Sequence, residues 1–548
     1  MRFALSLSTA LVALFSGSVT GVPLRSDLAK KLQLATELGL DTETVLRDSQ
    51  TFRTAATQAD IPAEYVTLPI DHDNPSFGTF QNRFWVSEEY YEPGGPVIMY
   101  DTGELNAETS TSHLTSDFSF FPRLLKEFNA IGIIWEHRYY GDSLPYPVHP
   151  ATPPDHFRYL TTSQALADIP VFAENFTRPD LPHVDLTPKS TPWVMVGGSY
   201  AGARAALARN EYPDTIFASF ASSGPVEARV DMSAYYKQVY QAMVANGFGN
   251  CARDIHAALH YIDDQLSRNG TSAAIKKLFF GEGAEYNSNE DFTASLATIF
   301  GYFQSQGFEG GKDSLDEFCR HMELDPSTGQ YAGSEGLAPR HGNEYLAKRW
   351  AAWPVFTEMV NANTGTNCRG LDKSTERSCK LNPPPSDPSS IAWSWQYCSE
   401  WGFYQSNNVG VHSLLSRYQT LEFQQVMCNQ LFPDAVKSGI LPKEPRVHSL
   451  NEHFGGWSIR PSNVYFSSGE FDPWRTLGML SEEPFSQQLN VTQDIPRCGV
   501  PPADDTVFGY IGANSFHCFD FQMTDIAGES RELFTRALKA WLPCFEKK

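Results

Sequence analysis

The chain has 548 residues, 41% hydrophobic and 19% charged, so it can bury a sizeable core and is not globally disordered. Its net charge of −22 repels phosphate backbones and anionic lipid, which excludes nucleic acid and membrane surfaces as main partners. By length it holds two to four domains, or one large α/β domain with an insertion.

The opening "MRFALSLSTALVALFSGSVTG" has Arg2, an apolar run from Phe3 to Phe15 and then small residues. It predicts a signal peptide over 1–21, because the run is shorter than the ~20 residues a membrane span needs. The expected location is extracellular, or an acidic vacuolar or lysosomal compartment. A polar, helix-prone segment over 22–60 is either a propeptide or an N-terminal helix of the mature chain. Next, "YVTLPID" and "TFQNRFWVSEEYY" read as strands, and "PVIMY" (96–100) and "AIGIIW" (130–135) as buried strands flanking the helix "SDFSFFPRLLKEFN". "WVMV" (193–196) is a buried strand, "GARAALARNEYP" a helix that stops at Pro213, and "TIFASFASSG" (215–224) a further strand. Buried strands alternating with helices imply a mostly parallel sheet covered on both faces, over 61–230.

Over 231–445 the periodicity becomes helical, with no clear buried strand and a proline-rich break "LNPPPSDPSS" (381–390). This block reads as a helical insertion that holds six of the nine cysteines. Over 446–548 the first style returns, with "NVYFSSG" (463–469) and "VFGYIG" (507–512) as strands and "SRELFTRALKAWL" (530–542) as a closing helix. Nine cysteines fit an oxidising compartment, their odd number leaves at least one outside a disulfide, and no C-x-x-C pair supports zinc or redox chemistry. Asn175, Asn269 and Asn490 head N-x-T glycosylation triplets.

One constellation carries chemistry. In "WVMVGGSYAGARAAL" Ser199 stands between a strand and a helix, with Gly197 two before it, Ala201 two after and Gly202 next. Small residues there let the chain turn sharply and expose a nucleophilic hydroxyl, although alanine replaces the second glycine of G-x-S-x-G. A serine nucleophile needs a base and an orienting carboxylate. "NVYFSSGEFDPWRTLG" offers Asp472 past one strand end, and "YIGANSFHCFDF" offers His517 past the next, in the order Ser, Asp, His. Asp520 is a rival acid, and His448 and His453 are rival bases in the wrong order. The oxyanion needs two backbone N–H groups, one from Tyr200 and one from Gly103 or Glu104 in "YDTGELNAETS". The fold class expected is α/β, an α/β-hydrolase with an inserted helical cap.

"GGSYAGA", "EHRYYGDSLP" (136–145), "DTGE" (101–104), "EFDPWR" (470–475) and "FHCFD" (516–520) resemble, over roughly 60–545, the serine peptidases that cut after proline. These are the lysosomal Pro-X carboxypeptidases, the dipeptidyl peptidase II group and the secreted acid prolyl endopeptidases. The resemblance implies a Ser199–Asp472–His517 triad, cleavage on the carboxyl side of proline at acid pH, and proline-containing peptides or proteins as substrates. No cofactor and no metal are expected, and the chain is expected to be a monomer or homodimer. The motif "WSWQYCSEWGFYQ" (393–405) matches a region where the family carries aromatics near its pocket. An aromatic slot can grip a flat prolyl ring, which nominates Trp395, Trp401, Phe403 and Tyr404, with Trp474 beside Asp472. Resemblance and proximity also suggest the pairs Cys251–Cys319, Cys368–Cys379 and Cys398–Cys428, with Cys518 either outside a disulfide or joined to Cys498. Glu136 and Arg138 are expected to pair with each other. Two departures are "TGELN" in the oxyanion loop and Cys518 directly after the histidine. Acid activity carries a tension: a histidine of pKa ~6.5 is only ~3% neutral at pH ~5, and burial would have to favour the neutral form. The alternatives are a secreted esterase of the same fold and a catalytically inactive binding protein.

Overall fold

The computed structural model describes residues 33–37, 61–408 and 410–546. The expected signal peptide lies outside them, as does the 22–60 segment apart from 33–37.

The strands are β1 (Glu64–Pro69), β2 (Thr79–Ser87), β3 (Val97–Asp101), β4 (Ile131–Trp135), β5 (Trp193–Gly198), β6 (Ala218–Ser222), β7 (Arg229–Asp231), β8 (Leu324–Asp325), β9 (Gln330–Tyr331), β10 (Gly402–Tyr404), β11 (Val464–Gly469), β12 (Asn490–Thr492) and β13 (Thr506–Gly512). Nine form one sheet in the order β1-β2-β4-β3-β5-β6-β11-β13-β12. β2 runs antiparallel to β1 and β4, and every other pairing in this sheet is parallel. Successive side chains along a strand point to opposite faces, so the central strands must be apolar at every position to feed two helical layers. Val97, Met99, Trp193 and Met195 therefore pack with Leu166, Ile169 and Phe172 of helix α1 (Thr162–Glu174) and with Ala205 and Ala206 of α2 (Tyr200–Glu211). Ile98, Val194 and Val196 face the other way, toward Leu124 and Leu125 of the helix Phe121–Phe128 and Phe534 and Leu538 of the helix Asp525–Trp541. This is the α/β-hydrolase fold.

The chain between β7 and β11 is mostly helical, beginning with Ala234–Ala245 and Gly249–Leu266. Short strands that periodicity did not show also occur here: β8 pairs with β9, and β10 runs parallel to β7, Gly402 against Arg229 and Tyr404 against Asp231. Disulfides Cys251–Cys319, Cys368–Cys379 and Cys398–Cys428 staple this region. Cys498 joins Cys544 rather than Cys518, which is a buried thiol outside the four disulfides. Glu136 and Arg138 do not pair with each other. Glu136 takes Nε and Nη2 of Arg83 at 2.8 and 2.9 Å, and Arg138 grips Asp168 at 2.7 and 2.6 Å.

Candidate active site

Ser199 sits at the break between β5 and α2 with φ 61° and ψ −129°, a strained conformation for any side-chain-bearing residue. The neighbours explain which positions must be small. A Cβ on Gly197 would lie 2.2 Å from the Ala201 carbonyl oxygen, and one on Gly202 would lie 2.3 Å from that of Ser222. The close approach thus falls on Gly202, so alanine is tolerated at 201. The Ser199 N–H donates to Ser222 O at 2.9 Å and fixes the elbow against β6.

Asp472 and His517 reach the same end of the sheet from loops after β11 and β13. His517 Nδ1 lies 2.9 Å from Asp472 Oδ1. That oxygen also accepts the Trp474 N–H at 2.9 Å, and Oδ2 accepts Ser468 Oγ at 2.9 Å. Burial pushes the Asp472 carboxyl up, but the His517 charge and hydrogen bonds from His517, Ser223 and the Trp474 N–H outweigh it and hold its pKa below the usual value. The carboxylate thus stays ionised and can fix the ring with Nδ1 as donor. His517 Nε2 is buried and has no hydrogen-bond partner among the described residues, so its link to Ser199 Oγ is not made here. Such contacts commonly close only around substrate. Asp520 points elsewhere: Ser222 Oγ and Ser467 Oγ donate to it, with Ser530 Oγ at 3.2 Å. His448 and His453 lie on the helix Val447–Phe454, where His453 packs on Phe454.

The oxyanion loop needs a correction. Gly103 adopts φ 59° and closes on Ala201, but its N–H already donates to Asp101 Oδ1 at 2.8 Å. Of the two loop residues nominated, Gly103 thus has its N–H engaged within its own loop. Asp101 is itself held by Arg204 Nε at 2.7 Å, with both side chains fully buried. The Tyr200 N–H, at the first position of α2, has no partner within its helix. The Tyr200 ring is anchored at its hydroxyl, which accepts Gln396 Nε2 at 2.7 Å and lies 3.2 Å from His137 Nε2. Burial, then the Arg204 charge, lower the His137 pKa well below its ordinary value, so this histidine is neutral.

The aromatic candidates divide. Tyr200 packs on Trp401 at 5.7 Å, Trp401 on Phe403 at 5.4 Å, Phe403 on Trp474 at 5.1 Å, and Trp474 lies 6.4 Å from the His517 ring. These rings form one continuous wall from the elbow to the histidine. Trp395 stacks instead on Phe157 at 5.0 Å, and the Tyr404 hydroxyl donates to Gln425 Oε1 at 2.9 Å. Both belong to a separate core and are not brought to the wall. A π-helical turn over Tyr397–Trp401 and positive φ at Gly402 and Phe403 set this division. Three contributors were not singled out from sequence. Trp393 packs 5.3 Å from Tyr200, within the same motif. Gln304 accepts the His517 N–H at its carbonyl, and the Trp474 Nε1–H and the Tyr235 hydroxyl at its side-chain oxygen. Neither Gln304 nor Tyr235 lies in a recognisable motif. Asn175, Asn269 and Asn490 are all exposed. No group of three or more metal-ligating side chains occurs among the described residues.

The sheet and its serine elbow define the class, an α/β-hydrolase. Within it, the chain matches the family described as serine carboxypeptidase S28 over residues 69–492 and belongs to that family of serine-type peptidases. A "Probable extracellular serine carboxypeptidase" of Arthroderma benhamiae is 29% identical over 459 residues, 78% of this chain and 61% of that protein. The chain thus aligns with about three fifths of that relative. The thymus-specific serine protease of Mus musculus is 27% identical over 501 residues, 88% of each chain. The mouse lysosomal Pro-X carboxypeptidase is 24% identical over 431 residues, 76% of this chain and 79% of that one. Among solved structures, an acetylester hydrolase from Corynebacterium glutamicum has a TM-score of 0.34 at 9% identity, covering 88% of this chain and 97% of that one, too distant to carry an argument. No helix among the described residues is long and apolar enough to cross a membrane.

Proposed function

We propose that this protein is a secreted serine peptidase that cleaves on the carboxyl side of proline, at acid pH, through Ser199, His517 and Asp472. Ser199 Oγ attacks the carbonyl carbon as its proton passes to His517 Nε2. The amine leaves with that proton, and water then hydrolyses the ester on Ser199 by the reverse relay. Asp472 holds the imidazole and offsets its charge. The N–H groups of Tyr200 and Glu104 stabilise the oxyanion. Trp401, Phe403 and Trp474 grip the prolyl ring, with the helical region 231–445 as the cap over the sheet. The observation that carries this reading is the unbroken aromatic wall from Tyr200 to His517, joined to the His517–Asp472 contact. A polar slot would have suited an ordinary side chain; flat apolar faces suit a pyrrolidine ring. The name of the Pro-X carboxypeptidase relative points the same way.

Three proline-containing peptides, assayed from acid to mildly alkaline pH, test it, with Ser199→Ala as control. One is free at both ends, one blocked at the amine and one blocked at the carboxyl. We expect cleavage after proline, with an acid optimum, that Ser199→Ala abolishes. Failure only when the carboxyl is blocked assigns a carboxypeptidase, failure only when the amine is blocked a dipeptidyl peptidase, and cleavage of all three an endopeptidase. No serine-dependent cleavage of any peptide, by the full chain or after removal of the segment before residue 61, overturns the proposal.

A further inference from the structure

The catalytic candidates are closed off from solvent in the full chain. Ser199 is 5% exposed and His517 0%. A turn of the chain's own N-terminal segment lies beside the elbow. Residues 33–37 form a helical turn in which Gln33, Leu34, Ala35 and Glu37 are all buried. Gln33, Leu34 and Glu37 form one wall of a cavity whose other walls include Asp101, Thr102, Leu105 and Gly198. Gly198 is bonded to Ser199, and residues 101–105 are the loop that approaches the elbow. The turn therefore sits on the nucleophile's doorstep.

Its hold is polar as well as apolar. The Tyr100 hydroxyl donates to Glu37 Oε2 at 3.3 Å, and His113 Nε2 lies 3.4 Å from the same oxygen. Gln33 Nε2 donates to Glu37 Oε1 at 2.8 Å. The Tyr100 and His113 rings stack at 4.8 Å, and Ser119 Oγ lies 2.8 Å from His113 Nδ1, so the two groups that face Glu37 are themselves fixed. A carboxylate buried this deeply is tolerated only where donors await it. Leu34 and Ala35 are meanwhile buried in the apolar core.

We infer that Tyr100 and His113 form a carboxylate seat beside the elbow, and that Glu37 of the N-terminal segment fills it, so that the segment acts as a built-in inhibitor. The inference rests on Ser199 being the nucleophile, but not on proline specificity. Displacement of the segment, by cleavage or by loss of the Glu37 contact, opens the site.

The test is the second-order rate at which a fluorophosphonate labels Ser199 in the full chain, compared among wild type, Glu37→Gln and Tyr100→Phe. Each substitution removes one side of the seat contact with little change of shape. We expect labelling to rise at least tenfold in Glu37→Gln and by a smaller factor in Tyr100→Phe, with melting temperature near that of wild type. Equal labelling in all three chains overturns the inhibitor and leaves the peptidase reading intact. Faster labelling of the variants without peptide cleavage supports the inhibitor and removes the peptidase reading. A chain in which Ser199 is never labelled overturns both.

Discussion

Phe403 combines strain with a central position: φ is 59°, and its ring touches Trp401 on one side and Trp474 on the other. A non-glycine residue holds that conformation only where its surroundings enforce it, and such residues cluster at binding sites. If the wall grips proline, Phe403→Ala removes a buried aromatic face worth about 1.5–3 kcal/mol. The KM for a prolyl peptide should then rise about 10- to 100-fold while kcat changes less, as read by steady-state kinetics; an unchanged KM would place Phe403 in the cap core alone. At this scale the sequence was most legible where chemistry restricts residue type. Ser199, Asp472 and His517 each follow an apolar strand, and few side chains can do acyl transfer. The aromatic motif was legible as a motif but not in its orientation. Trp393 and Trp395 are two apart on a helix, so they point to opposite sides, and only Trp393 meets Tyr200. The π turn that follows then shifts the facing of every later ring, which no periodicity reveals.

At the scale of elements, the β5–α2 elbow was readable because steric demand writes itself as small residues. The crossing over Ser222 O leaves no room for a methyl at Gly202, and none exists at Gly197 against Ala201 O. The loop after β3 was half legible. A glycine two residues after an aspartate is a signature of a side chain curling onto its own backbone, and Asp101 Oδ1 does take the Gly103 N–H. That signal could have removed Gly103 from the oxyanion candidates. The partners of Glu136 and Arg138 could not be read, because Arg83 and Asp168 lie 53 and 30 residues away and only the folded sheet brings them close. Glu136 also accepts the Ala107 and Ser143 N–H groups and the Ser143 hydroxyl, so it braces the start of both flanking loops.

For the whole molecule, buried carboxyls set the pH range of stability. Burial pushes up the pKa of Glu227, Asp263, Asp291, Glu400 and Asp520. Glu323 is pushed to about 8, by burial and then by the Asp254 charge. These groups keep protons in the native state that the unfolded chain releases above pH ~4.5, so stability falls as pH rises from there toward 8. Asp168 and Asp472 run the other way: despite burial, Arg138 and His72 hold the first down, and His517 the second. Their contribution is present above pH ~4 and is lost as pH falls through the depressed values. The net charge of −22 adds self-repulsion as pH rises. Calorimetric melting temperature should therefore peak between about pH 4 and 6 and fall toward pH 8; a maximum above pH ~7.5 would contradict this. The helical character of the region between β7 and β11 was legible, whereas β10 was not, because three residues are too few to show a period.

The central claim is that His517, oriented by Asp472, activates Ser199. The most direct measurement is kcat of Asp472→Asn on an X-Pro peptide, in a preparation whose melting curve overlays that of wild type. Asparagine keeps the shape but presents the imidazole with the wrong proton partner, so kcat should fall by about 10⁴. A variant that stays folded and retains more than about a tenth of wild-type kcat would mean that Asp472 does not orient the base, and that another acid serves Ser199.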